Sequence, residues 1–188
     1  ASSYNALITD DNGCTTFPST LLYTIVEPSD ISVTPNSTSI SCFGGSDGSA
    51  SVSVTGGTYP YSYQWSPTGD TTSIINNLYP GNHYVSITDA NGCIPSLGSS
   101  SVVVNQPNLA LGLTFNITQP ICYGNANATA TANAYGGTPP YSYLWSDGQT
   151  SQLATGLITG TYNCTISDSN NCQFIGSVTI NQPDEILP

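Results

Sequence analysis

Six cysteines, eleven carboxylates and a single histidine are the side chains that could do chemistry in this 188-residue chain, and no lysine or arginine stands beside them. Cys42 and Cys93 are 51 positions apart, Cys122 and Cys172 are 50 apart, and both pairs bracket the same motifs. That recurrence predicts two disulfides, Cys42–Cys93 and Cys122–Cys172, each closing a loop worth roughly 4 kcal/mol in the chain-entropy model. Both ends of each bond are expected at one pole of a small domain, where such a staple is a large fraction of total stability. Cys14 is left without a partner. Cys164 takes the inward strand position held elsewhere by Val85 and Ala6, so it reads as a buried free thiol. No Cys-x-x-Cys pair or histidine cluster supports a metal site.

Catalysis finds little to work with, since the usual bases, Schiff-base formers and oxyanion clamps are almost absent. The chain is therefore not expected to be an enzyme. His83 falls where Tyr4 and Tyr162 stand in related segments, which makes it a packed core residue. Asp10, Asp89 and Asp168 recur at a strand end, where a carboxylate caps the following turn through backbone N–H groups. The one cofactor reading is calcium, with Asp47 and Asp89 as oxygen ligands at the disulfide pole. Six or more ligands are needed, however, and the second repeat has no counterpart of Asp47. Asn36, Asn116, Asn127 and Asn163 head Asn-x-Ser/Thr sequons, read as chance in an Asn- and Thr-rich chain. A formal charge of −11 without a single cation excludes nucleic acid and anionic membrane surfaces as partners. No apolar run approaches 18 residues, and no charged-then-apolar leader opens the sequence.

The elements that must position these groups are strands. Gly56-Gly57-Thr58-Tyr59-Pro60-Tyr61-Ser62-Tyr63-Gln64-Trp65 returns 80 positions later as Gly136-Gly137-Thr138-Pro139-Pro140-Tyr141-Ser142-Tyr143-Leu144-Trp145. Each copy reads as a turn feeding a strand whose Tyr61, Tyr63 and Trp65, or Tyr141, Tyr143 and Trp145, share one core-facing side. Tyr59, Tyr79 and Tyr135 lie at turns and are expected to be exposed. A second unit occurs three times, as Tyr4 to Cys14, His83 to Cys93 and Tyr162 to Cys172. In each, an alternating strand runs into an Asx-rich reversal ending in Asn-Gly or Asn-Asn. Strands over 31–35, 49–55, 60–66, 72–78, 83–89 and 99–105, with no helical period, predict an all-β, tandem immunoglobulin-like sandwich. Prolines 28, 107 and 183 mark boundaries: a repeat fragment over 1–28, complete repeats over 29–107 and 108–183, and the start of another over 184–188. Ala132 and Ala134 replace Val52 and Val54, so the second repeat is expected to have the thinner core and to unfold first.

In fixed order the chain carries Cys42-Phe43-Gly44-Gly45-Ser46-Asp47-Gly48, then Gly-Gly-Thr-x-Pro-Tyr-Ser-Tyr-x-Trp, a Gly-x-Tyr-x-Val-x-Ile-x-Asp pattern met with His83 at its Tyr in one copy and Cys164 at its Val in the other, and Asp-x-Asn-Gly-Cys. The string resembles the SprB repeat of very large surface adhesins of gliding bacteria, and more loosely the PKD-like surface modules. His83 and Asn171 depart from that pattern, and Ile121 to Asn127 lacks its Gly-Gly and acidic residue. The resemblance implies a secreted, cell-surface stalk or filament exported by the type IX pathway and serving adhesion and gliding. Its partners would be neighbouring repeats of the same chain or filament and surface polysaccharide or other cells. The alternative is a non-catalytic carbohydrate-binding array attached to a secreted enzyme, the exposed tyrosines stacking on sugars.

Overall fold

Wherever apolar and polar residues alternate, the chain is extended. The computed structural model describes residues 2–6, 8–15 and 21–186, and among these there are fourteen strands and no helix. The leading segment supplies β1 (Ser2–Ala6) and β2 (Leu21–Ile25), paired antiparallel. The first repeat supplies β3 (Ser32–Thr38), β4 (Gly48–Thr55), β5 (Ser62–Ser66), β6 (Ile74–Leu78), β7 (Gly81–Thr88) and β8 (Ser100–Val104). The second supplies β9 (Gly112–Thr118), β10 (Ala128–Tyr135), β11 (Ser142–Trp145), β12 (Leu153–Leu157), β13 (Gly160–Ser167) and β14 (Gln173–Ile180). Both repeats use one plan of two three-stranded sheets, β3-β4-β6 with β5-β7-β8 and β9-β10-β12 with β11-β13-β14. These are tandem immunoglobulin-like sandwiches that lack one short strand of the four-stranded sheet. Pro35 lies inside β3, an edge strand, where a missing N–H need cost no ladder bond.

Grouped by Cα proximity, the chain forms two compact units. One comprises Ala1–Thr34, Val52–Ser73 and Tyr84–Ser100; the other comprises Pro35–Ser51, Ile74–His83 and Ser101–Pro188. The second unit thus holds the whole second repeat together with the part of the first that carries Cys42. Its core is built from Ala128, Ala130 and Ala132 of β10, Trp145 of β11, Ala154 and Leu157 of β12, Cys164 and Ile166 of β13, and Val178 and Ile180 of β14. The space beside the alanines is filled from the edge: Phe115 of β9 faces Ala132 in register and packs on Trp145 with ring centroids 5.7 Å apart. Phe115 thus lies beside one of the two alanines that stand where the first repeat has valines, and Leu144, 54% exposed, takes no part in this core.

Register decides which loop lies at which pole. Ala128, opening β10, pairs with Leu157, closing β12, and β13 sets out from Gly160 just beyond. The Cys122 loop and the β12–β13 turn therefore share one pole, the head. β13 then runs eight residues to Ser167 before the Cys172 turn, so that turn lies at the other pole, the tail, about 26 Å away at 3.3 Å per residue. Gly112, opening β9, faces Tyr135 at the end of β10, and so the chain enters this repeat at its tail. The first repeat shows the same pairings, with Gly48 opposite Leu78 and Ser62 opposite Thr88.

Candidate functional site

At each tail an aspartate organises two turns at once. Asp168 Oδ1 accepts the backbone N–H groups of Asn170 and Cys172, both at 2.9 Å, and its Oδ2 accepts that of Thr138 at 2.8 Å. Asp89 does the same with Asn91 (2.9 Å), Cys93 (2.8 Å) and Thr58 (2.9 Å). Asp10 Oδ1 likewise takes the N–H groups of Asn12 and Cys14. Both repeat aspartates are buried. The Cys93 N–H, helped by those of Thr58 and Asn91, holds the Asp89 carboxyl below its ordinary range against the opposing effect of burial. Opposite these carboxylates sits the Gly-Gly turn. Gly136 has φ of +68°, and a Cβ there would lie 2.0 Å from the Ala110 carbonyl oxygen, so no other residue fits. The Tyr61 hydroxyl donates to the Gly56 carbonyl and that of Tyr141 to Gly136, closing the turn from the aromatic strand.

At each head a cysteine turn is held by a glutamine from the end of the same repeat. Gly45 N donates to Cys42 O at 2.9 Å, and Gln106 Oε1 accepts Gly44 N at 2.8 Å. The second head repeats this with Asn125 N to Cys122 O at 3.3 Å and Gly124 N to Gln182 Oε1 at 3.1 Å. Sequence reasoning took Pro107 and Pro183 as boundaries and passed over the glutamines. Their signal was the recurrence of Asn105-Gln106-Pro107 as Asn181-Gln182-Pro183.

The structure joins a head to a tail. Cys42 is bonded to Cys172, with Cα atoms 5.7 Å apart, while Cys93 and Cys122 are exposed thiols. This corrects the expected Cys42–Cys93 and Cys122–Cys172 pairings: the two members of each expected pair flank opposite poles of their own sandwich, far beyond the 4.4–6.8 Å Cα span of a disulfide. The error lay in a parity. Four strands separate the cysteines, which suggests a return to the same pole, but β11 and β12 are short and both run toward the head. β11 sets out at the tail, Ser142 facing Ser167, and stops at Trp145 opposite Cys164, while β12 starts at Leu153 opposite Thr131 and ends at Leu157 opposite Ala128, so together they make one traverse. Trp145 Nε1–H ties down the connection between them at the Ser151 carbonyl (2.9 Å), as Trp65 does at Thr72 (2.8 Å). One more bond joins the same surfaces: Asn170 Nδ2 donates to Ser41 O at 2.9 Å, and the disulfide sulfur of Cys172 lies 3.5 Å from that oxygen.

The remaining candidates divide between core and surface. Trp65 and Trp145 are 1% and 2% exposed, and the tyrosines of their stripes, Tyr61, Tyr63, Tyr141 and Tyr143, are half-buried. Tyr59 and Tyr79 are exposed, at 80% and 68%, and Tyr135 less so. Cys164 is buried, and that burial pushes its thiol pKa up. Tyr162 forms a tyrosine corner, its hydroxyl bonded to both the N–H and the C=O of Ile158 (3.2 and 3.3 Å). His83 occupies that corner in the first repeat, with Nε2 3.1 Å from the Tyr79 carbonyl and a buried Nδ1 that has no partner. Asp47 and Asp89 flank opposite ends of their strands and are not brought together. The Asp47 carboxylate binds Ser41, whose hydroxyl and N–H hold its pKa down, and Asp89 is committed to its turns. Among the described residues, no three His, Cys, Asp or Glu side chains are grouped to hold a metal ion.

Residues 34–70 and 114–150 each match the SprB repeat. No curated protein matches the chain. Similar solved structures include a C-terminal 282-residue fragment of intimin in complex with the intimin-binding domain of the translocated intimin receptor, at 18% identity and a TM-score of 0.43 over 83% of this chain. The chain spans 65% of the length of that fragment. The two immunoglobulin domains of DIP-gamma align at 11% identity and a TM-score of 0.41, covering 84% of this chain and 99% of that one. The ectodomain of mouse nectin-like molecule 4 aligns at 11% and 0.36, covering 86% and 67%.

Proposed function

We propose that this chain, with its two SprB repeats, is a non-catalytic stalk segment of a secreted cell-surface adhesin, its repeats over 29–107 and 108–183 set in a row to carry a binding surface away from the cell. The observation that supports this reading is the junction. The chain leaves one head at Val104, where Gly48 closes on it, and enters the next tail at Gly112, and the Cys42–Cys172 bond joins the same head to the same tail. Such a joint suits load-bearing rather than turnover. The chemistry points the same way: the single histidine is inside the sandwich with Nε2 committed to a carbonyl, and no cation is available to stabilise a developing charge. Export by the type IX pathway and a role in gliding are what the SprB repeat implies for the parent protein. The partners of such a segment are further repeats and, at its exposed tyrosines, surface polysaccharide.

Small-angle scattering tests the stalk. A single globule of this length has a radius of gyration of about 16 Å. An array gives a clearly larger value and an elongated distance distribution, whereas a value at the globular limit overturns the reading.

A further inference from the structure

We propose that the exposed thiols of Cys93 and Cys122 are open halves of the same head-to-tail staple that Cys42 and Cys172 complete, each made to take the complementary cysteine of a further SprB repeat. Both unbonded cysteines are held in the hydrogen-bond frames of the bonded ones. Cys93 N–H reaches Asp89 Oδ1 at 2.8 Å, as Cys172 N–H reaches Asp168 Oδ1 at 2.9 Å. Asn91 Nδ2 lies on Thr58 Oγ1 at 3.1 Å, as Asn170 Nδ2 lies on Thr138 Oγ1 at 3.3 Å while also reaching the neighbouring head at Ser41. Cys122 closes the same turn as Cys42 and is buttressed by Gln182 as Cys42 is by Gln106. The head around Cys122 also presents an apolar surface, Ile121 being 81% and Tyr123 50% exposed. Neither thiol can reach a partner in its own repeat, because the matching cysteine is at the opposite pole.

The bond forms by thiol–disulfide exchange. A disulfide oxidant such as oxidised glutathione or an extracellular thiol–disulfide oxidoreductase takes up the two electrons and two protons released by the two thiols, and is itself reduced to two thiols. The inference rests on the array reading only in needing another repeat, and a second copy of this chain can supply one.

In a redox buffer of reduced and oxidised glutathione, the 188-residue chain should form chain-to-chain disulfides that join Cys122 to a tail cysteine, Cys93 or Cys14. Peptic mapping without reduction should find these at least tenfold more often than Cys122–Cys122 or Cys93–Cys93, beside an intrachain Cys42–Cys172. Cys122→Ser, at an exposed position, should leave monomers with that internal bond intact. The proposal is overturned if Cys93 and Cys122 stay reduced, if head and tail cysteines pair at random, or if the Cys122→Ser chain still multimerises through disulfides. Scattering on the monomeric Cys122→Ser chain tests the stalk separately, so either idea can fail without the other.

Discussion

His83 stands in a tyrosine's place and performs only half of its task. Its Nε2 makes the corner bond to Tyr79, but Nδ1 is left buried without a partner, and such an orphan costs about 1–3 kcal/mol. Tyr162 shows that a phenol fits the same corner and bonds both backbone groups of Ile158. We therefore expect His83→Tyr to stabilise the first repeat by about 1 kcal/mol, read as a higher urea midpoint at unchanged slope; a neutral or destabilised variant contradicts the corner argument. The aspartate turns predict a pH dependence. Because three N–H groups bind the charged form of Asp89, its folded pKa lies below its unfolded one. That stabilisation is complete above the unfolded value near 4 and is lost as pH falls through the folded value. Urea midpoints should be level from pH 7 to 5 and fall below about 4, and Asp89→Asn should flatten that fall. An identical acid limb in the variant would remove Asp89 from the account.

Among the elements, the Gly-Gly turn and the alanine-rich sheet make opposite demands on space. At Gly136 an added methyl meets the Ala110 carbonyl, whereas at Gly148, also at positive φ (+90°), nothing lies within 4 Å. Gly148→Ala should thus cost only the left-handed conformation, about 1–2 kcal/mol, and Gly136→Ala distinctly more. Equal melting shifts for the two would show that the turn can move away. Phe115→Ala should cost the second repeat about 2–3 kcal/mol, at the low end for Phe→Ala because the ring is half-buried, and calorimetry of the two variants reads this directly. Strand positions, the buried tryptophans and the Asp-capped turns were legible in the sequence, since each rests on periodicity or on a side chain meeting its near neighbours. Cysteine pairing was not. It depends on how many times the chain traverses the sandwich, and β11 and β12, two strands by their pattern, make only one traverse between them. Phe115 was missed for a related reason: the two repeats were aligned on β4 and β10, and the compensating residue lies on a neighbouring strand where the first repeat has Pro35.

In the whole molecule the two repeats share one covalent cross-link besides the backbone. With Cys42 fixed to Cys172, unfolding either repeat leaves a closed loop of about 60 residues, which the chain-entropy model values at roughly 4 kcal/mol for each. Oxidised chain should melt at a higher temperature than Cys42→Ser chain, and the variant should resolve into two transitions; matching thermograms would mean that the bond contributes no coupling. The same joint has a consequence for twist. Where successive domains are connected by one stretch of backbone, each can swivel about its single bonds, and a turn applied at one end is dissipated at the first joint. Here the backbone between Val104 and Gly112 and the cystine form two separate crossings from the same head to the same tail. Two attachments leave a hinge but remove the swivel, so a rotation imposed on one repeat is handed to the next, and a chain of such joints acts as a drive shaft rather than a rope.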